Sequence, residues 1–394
     1  MAKILLISLG SRGDMEPFLA LGEEVLAEGH EIGCCMPAQF EPLVKELTPN
    51  FFPQNHSFLE LVEGQEISKI MGQVGSGFSR LLILFKLWRK IKPIQEQLIE
   101  DQQKAVEIFK PDQIIFHIKC IYPVIWAIKF EGSVKLLSPI PALLDPIIDI
   151  PHIGFGKSRW KAWNLFTYKL AEYALIHQSI LGYGKAFLKK NKLQLNSTAL
   201  KKFYRNELAV EYAVSPLLFS RPTYWPERAK VTSFRMRKIK AKSIQNTDLE
   251  HFLKSNPNPL YIGFGSMINA QPHQVALDIL AVCEELKLSV IINESWGGIQ
   301  CPDRLPSWAL KIKDIPFDYL FPKVKMVIHH GGSGTTHSAL RFKKPQAIIP
   351  HIADQFFWNK QIEKRGVGCA GFKIKKWNQE RLKNLIIKLQ NFQF

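Results

Sequence analysis

Apolar residues in this chain fall into two alternating patterns. Residues 4–9, 31–37, 112–117 and 134–140 are short, nearly continuous apolar runs, as strands buried on both faces require. Between them, apolar positions recur at helical spacing: Phe18, Leu19, Leu21, Val25 and Leu26, then residues 40–47, then 122–129. Pro17 is read as opening the first of these helices and Gly29 as closing it. Strand, helix and strand in that order predict an open parallel α/β sheet. Residues 51–53 read as a weak strand. Residues 55–79, with Gly64, Gly72, Gly75 and Gly77, read as a long loop. A helix with a strongly apolar start at 81–88 follows, fit for core packing or for walling a hydrophobic cleft. Residues 142–157 read as loop, 160–181 and 183–193 as helices, and 213–219 as the last strand of this half.

The alternation then restarts. Strands are expected at 260–267, 289–293, 310–316, 326–328 and 346–350, and helices at 272–286, from about 335, from 354 and at 379–392. The polar, basic stretch 228–255 separates the halves. The expected organisation is two Rossmann-like α/β domains facing each other: residues 1–228, a linker at 229–255, and residues 256–394.

Composition narrows the class without fixing it. A chain of 394 residues with 46% hydrophobic and 22% charged positions is that of an ordinary globular protein. Lys and Arg (52) outnumber Asp and Glu (35), giving +17, which suits anionic partners: a nucleotide phosphate, an acidic membrane surface or nucleic acid. Charge alone is thin support for nucleic acid, and none is expected. Cys34, Cys35, Cys120, Cys283, Cys301 and Cys369 form no CxxC pair and read as buried thiols of a cytosolic protein. The chain enters its first strand at once with no cleavable signal pattern. No apolar stretch reaches the roughly 18 residues of a membrane span. A cytoplasmic protein is expected, with peripheral membrane contact left open.

The stretch that carries chemistry is His-His-Gly-Gly-Ser-Gly-Thr-Thr at 329–336, between an apolar strand and a helix. Glycines admit a ligand close to the backbone, and the N–H groups of the following helical turn attract an anion. A phosphate or diphosphate is the natural guest; a tight turn with no ligand is the alternative. The paired histidines suggest a metal only weakly, since no third ligand lies at metal spacing. Neither glycine turn spells GxGxxG, which weighs against a nicotinamide dehydrogenase.

Three further motifs stand in order with this one: Gly-Ser-Arg-Gly-Asp-Met-Glu-Pro at 10–17, Gly-Phe-Gly-Ser-Met at 263–267, and Pro-His-Ile-Ala-Asp-Gln at 350–355 with Asn359. Together they resemble the inverting UDP-sugar glycosyltransferases of the GT-B fold, nearest the sterol glucosyltransferase and glycopeptide glycosyltransferase branch. The resemblance implies two Rossmann-like domains across a cleft and transfer of a hexose, glucose from UDP-glucose foremost, to a hydroxyl of a hydrophobic sterol, lipid or aglycone. A non-catalytic binder of nucleotide or lipid is the alternative. Asp14 would be the catalytic base, unless it only caps the helix that follows. The diphosphate would be met by Ser266, His330, Gly332, Ser333, Gly334 and Thr335, and the sugar by Asp354 and Gln355. The nucleobase would lie at Ile315 and Phe317, although Ile-Pro-Phe-Asp-Tyr-Leu-Phe-Pro at 315–322 departs from the branch's Val-Pro-His-Asp-Trp-Leu-Phe-Pro. No metal or other cofactor is implied.

Overall fold

The computed structural model describes residues 1–55, 78–153, 155, 158–237, 247–294, 297–313, 315–352 and 354–393; of 78–89 it describes the backbone alone. The expected loop at 55–79 lies almost wholly outside these residues, as do the side chains of the apolar helix start at 81–88. The chain divides into two units, Met1–Pro216 with Arg221–Lys238, and Leu217–Ser220 with Ile239–Phe394.

The first unit runs β1 (Lys3–Ile7), α1 (Arg12–Ala27), β2 (Glu31–Pro37), α2 (Glu41–Lys45), β3 (Phe51–Gln54), α3 (Phe78–Phe109), β4 (Gln113–Phe116), α4 (Tyr122–Phe130) and β5 (Ser133–Ser138). It continues with α5 (Lys161–Ala174), a π-helical turn at Leu175–Tyr183, α6 (Lys185–Lys190), α7 (Ser197–Lys202), β6 (Ala209–Ala213) and β7 (Ala229–Thr232). Its parallel strands stand in the order β3-β2-β1-β4-β5-β6-β7. Ile4, Leu6, Phe18, Leu19, Cys34 and Ile115 sit in a core packed against α1.

Three expectations change here. Helix α1 begins at Arg12 rather than at Pro17, because Ser11 and Asp14 form a capping box that satisfies the first turn five residues upstream of the proline. The strand expected at 213–219 is instead β6, ending at Ala213, with β7 beyond it. Residues 229–255, expected as a linker, supply β7 to the first sheet and α8 (Thr247–Ser255) to the second unit. Polar Glu211 and Lys230 disguised these strands. Glu211 is buried but held by Arg235, Thr232 and Lys135, which lets a carboxylate sit inside a sheet.

The second unit runs α8, β8 (Leu260–Gly263), α9 (Pro272–Glu285), β9 (Val290–Asn293), β10 (Ala309–Ile312), α10 (Phe317–Leu320), β11 (Met326–His329), α11 (Ser333–Arg341), β12 (Gln346–Ile348), α12 (Gln355–Lys364), β13 (Cys369–Ala370) and α13 (Gln379–Gln390). Its parallel sheet is ordered β10-β9-β8-β11-β12-β13. One face is covered by α9 and α13 over Ile262, Ile279, Ile328, Leu382 and Ile386, the other by Leu249, Tyr261, Leu320, Phe321 and Ala339. Both sheets thus run outward in two directions from a central pair, β1/β4 and β8/β11. In such sheets ligands bind beyond the carboxyl ends of the strands where the order reverses. All six cysteines are buried and unpaired, and among the described residues no helix is long and apolar enough to cross a membrane.

Candidate active site

At the reversal point of the first sheet, β1 and β4 pair with Ile7 beside Phe116. The turns that follow, residues 8–14 and 117–120, are therefore neighbours. Asp14 stands in the first turn of α1. Its Oδ2 accepts the Ser11 backbone N–H at 2.8 Å and the Ser11 hydroxyl at 3.2 Å. Its Oδ1 accepts from Lys119 Nζ at 3.2 Å and lies 3.4 Å from His117 Nε2. One carboxylate oxygen thus serves the helix cap, and the other faces the Lys119 and His117 side chains. Burial would raise the Asp14 pKa, but the Lys119 ammonium, His117 and the hydrogen bonds from Lys119 and Ser11 outweigh it and hold the carboxyl below its ordinary value.

His117 is the residue the sequence reading missed, together with Lys119. Burial and Lys119 push its pKa down to about 4, against the pull of Asp14, so near pH 7 the ring is neutral. Its Nδ1 accepts the Lys119 backbone N–H at 3.3 Å, which leaves the proton on Nε2, 3.4 Å from Asp14 Oδ1. A polar chain supports the same turn. The Ser8 hydroxyl donates to the Asp14 carbonyl, Gln54 Nε2 donates to the carbonyls of Ser8 and Cys35, and Gln102 Nε2 donates to Gln54 Oε1.

At the reversal point of the second sheet, β8 and β11 pair with Gly263 beside His329, and residues 264–267 adjoin 330–335. His329 is fully buried; its Nδ1 accepts the Gly331 N–H at 3.1 Å and its Nε2 faces Gln346 Oε1 at 3.0 Å. With both nitrogens engaged, it shapes the turn and is not a ligand. The His330 ring lies between two glycines. A Cβ on Gly265, at φ +56, would come 2.9 Å from its Cε1, and one on Gly332 would come 2.6 Å from its Nε2. Only glycine on both sides admits the ring. His330 Nδ1 is buried without a hydrogen-bond partner. Burial, His329 and His351 drive the pKa well down, so the ring is a neutral donor or acceptor.

Helix α11 opens at Gly332 and carries Ser333, Gly334 and Thr335 in its first turn. The opening N–H groups of a helix have no carbonyl of the same helix to meet. A Cβ on Gly334 would meet nothing within 4 Å, so the turn is open there. Further along, the Thr336 hydroxyl donates to the Gly332 carbonyl, the Ser338 hydroxyl donates to the Gly334 carbonyl, and His337 Nδ1 lies 2.7 Å from the Ser333 carbonyl. Ser266 follows β8 at the same end of the sheet and is half-buried.

The pair expected on the sugar divides. Asp354 is the half-buried N-cap residue of α12. Gln355 is 3% exposed, and its Oε1 accepts the N–H groups of His351 and Ile352 at 2.7 and 3.0 Å; it builds the turn on which Asp354 stands. Asn359 clamps Gly371 through its N–H and carbonyl. Ile315 is 8% exposed, and Phe317 stacks on Phe321 at 4.5 Å. The side chains expected at the nucleobase thus pack into the core. Among the described residues no three His, Cys, Asp or Glu side chains gather as a metal would need.

The family described as erythromycin biosynthesis protein CIII-like, C-terminal domain, matches residues 280–389. A sterol 3-beta-glucosyltransferase of Arabidopsis thaliana, UGT80B1, is 28% identical over 392 residues, and one of Kluyveromyces lactis is 26% identical over 400. The matches cover 98% and 96% of this chain but 62% and 31% of those relatives, so the chain spans less than two thirds of their length. Among solved structures, the glycotransferase of kitacinnamycin superposes with TM-score 0.68 at 13% identity, covering 99% of this chain and 91% of that one. Glycosyltransferase VinC in complex with DTDP gives 0.63 at 13%, with the same coverage. SsfS6, a Streptomyces glycosyltransferase complexed with thymidine diphosphate, gives 0.58 at 16%, covering 100% and 96%.

Proposed function

We propose, from the premise that this chain belongs to the GT-B glycosyltransferase family that includes the sterol glucosyltransferases, that it transfers a hexose from a nucleoside diphosphate sugar to a hydroxyl of a hydrophobic acceptor. UDP-glucose is the first donor to test and a sterol the first acceptor; the diphosphates bound by SsfS6 and VinC add the thymidine sugars. The observation that supports this reading is the placement of two chemically opposite groups, each where the strand order of its own sheet reverses. Asp14 supplies an ionised carboxylate in one unit, and the glycine turn at 330–335 supplies an anion cradle in the other.

In this reading the acceptor oxygen bonds the anomeric carbon with inversion as the sugar–diphosphate bond breaks. Its proton passes to Asp14, and the nucleoside diphosphate leaves with the electron pair. Charge developing on the diphosphate is met by Ser266, His330 and the N–H groups of Gly332, Ser333, Gly334 and Thr335, with the positive end of α11 behind them. Asp354 holds the sugar hydroxyls on the turn set by Gln355. No cation is assigned to the leaving group, so transfer is expected to persist in EDTA.

The test is mass spectrometry of products formed from UDP and TDP sugars with sterol, lipid and aglycone alcohols, using the wild type and Asp14→Asn. Acceptor-dependent glycoside formation that falls about 100-fold or more in the variant is expected of a general base. An Asp14→Asn enzyme that folds and transfers at the wild-type rate removes the base assignment. Tight nucleotide binding with no consumption on any acceptor would mark a binder instead.

A further inference from the structure

The cage around Asp14 poses a problem for any base. A carboxylate offers about four lone-pair sites; hydrogen bonds from the Ser11 N–H, the Ser11 hydroxyl and Lys119 Nζ take three of them, and His117 Nε2 crowds Oδ1 at 3.4 Å. Lys119 thus holds the hydrogen bond on Oδ1, and with the His117 ring beside it an incoming hydroxyl must compete for that oxygen. The Ser11 groups belong to the capping box of α1. The His117 side chain is 5% exposed, tethered at Nδ1 by the Lys119 N–H and set edge-on to Phe18. Lys119 differs. Its side chain is 40% exposed on a flexible stem, so it can swing into water at little cost.

We propose that Lys119 is an exchangeable lock on the Asp14 carboxylate, occupying in the free protein the place on Oδ1 that the acceptor hydroxyl takes, while His117 is a positioning residue that fixes the plane of the carboxylate. The inference rests on the base role given to Asp14 above. When the acceptor arrives, the ammonium withdraws with its proton, the hydroxyl donates to Oδ1, and on transfer that proton moves to Asp14. Losing the adjacent cation also makes the carboxylate a stronger base as the hydroxyl is seated. Among the described residues of the first unit, the nearest other titratable groups on these two turns do not compensate. Burial pushes the Cys120 thiol up to about 12, leaving it neutral. Arg12 is engaged with Glu16 at 3.0 Å on α1.

Two measurements separate the lock from the base assignment. The first needs no turnover: a 13C NMR titration of the Asp14 carboxyl, assigned by the loss of its signal in Asp14→Asn. Lys119→Met must raise the midpoint, and Lys119→Arg must leave it near that of the wild type. An unmoved midpoint in Lys119→Met overturns the lock. The second is the pH profile of kcat/KM with UDP-glucose and cholesterol in detergent micelles. Lys119→Met is expected to shift the acid limb to higher pH and to lower the acceptor KM by about 2–10-fold, the scale of one exchanged hydrogen bond. A raised midpoint with an unchanged acceptor KM also overturns it, since the ammonium would then not compete with the acceptor. Full activity in Asp14→Asn would instead sink the base, whatever Lys119 does.

Discussion

Two glycines three residues apart should respond to the same substitution in opposite ways, and the contrast tests the donor site. Gly331 has φ +95, and a Cβ there would lie 2.6 Å from Ile348 Cγ2 and 3.3 Å from Gln355 Cβ. Backbone strain of about 1–3 kcal/mol and overpacking of about the same size add up, so Gly331→Ala should destabilise the second unit by about 2–6 kcal/mol. Gly334 has no such conflict. It sits inside the first turn of α11, and its missing Cβ faces open space. Alanine is the better helix former by up to about 1 kcal/mol, so Gly334→Ala should be as stable as the wild type or slightly more so. Its methyl group would nevertheless occupy the space a diphosphate needs to reach the N–H groups. Loss of a hydrogen bond to a charged group costs about 1.5–3 kcal/mol, or roughly 10–150-fold in Kd. Urea denaturation gives the stabilities and calorimetric titration with UDP and TDP the affinities. A Gly334→Ala protein that binds these nucleotides as tightly as the wild type would show that the diphosphate does not rest on this turn. A fully stable Gly331→Ala would refute the steric argument itself.

Other outcomes follow from buried ionisable groups. His329, His337 and His351 are each pushed by burial to about 4, from an ordinary value of 6.5. The unfolded chain therefore binds more protons between pH 6.5 and 4, and stability that is complete above 6.5 is lost as pH falls through that window. One such histidine accounts for about 3 kcal/mol across it. Denaturation midpoints that stay level from pH 7 to 5 would contradict this, and His337→Gln should flatten the slope. In the first unit, Asp145 is 2% exposed and held by Arg228 Nη2 and the Tyr212 hydroxyl, each at 2.8 Å. Arg228→Met should cost about 3–5 kcal/mol in urea denaturation, because it strands a buried carboxylate. A loss below 1 kcal/mol would show that water reaches Asp145.

The strands were the legible part of this fold, for a physical reason. Parallel strands buried on both faces must be apolar throughout, so β1, β4, β8, β9 and β11 stand out as unbroken runs. The glycine turn of the second unit was legible for a related reason. A turn that threads a histidine ring between two backbones needs glycine, and glycine is visible in sequence as Gly265 and Gly332. What stayed hidden depends on contacts made elsewhere. Glu211 lies within β6 only because Arg235, Thr232 and Lys135 satisfy it. The start of α1 depends on a reciprocal cap that outweighs the signal of Pro17.

His117 and Lys119 form the most instructive omission. They lie more than 100 residues from Asp14 and spell no motif, yet the pairing of Ile7 with Phe116 forces them beside it. The strand order that makes them neighbours was itself within reach. A parallel sheet begun by β1 that turns back to place β4 on its other side always brings together the residues just after those two strands. The same reasoning applied to β8 and β11 joins 264–267 to 330–335. In this architecture the search for chemistry is best made in pairs of turns, each turn read with the one across the reversal point, because neither carries enough donors alone. The surroundings of Asp14 are complete only with His117 and Lys119 from the second turn, and His330 without Gly265 has no slot to occupy.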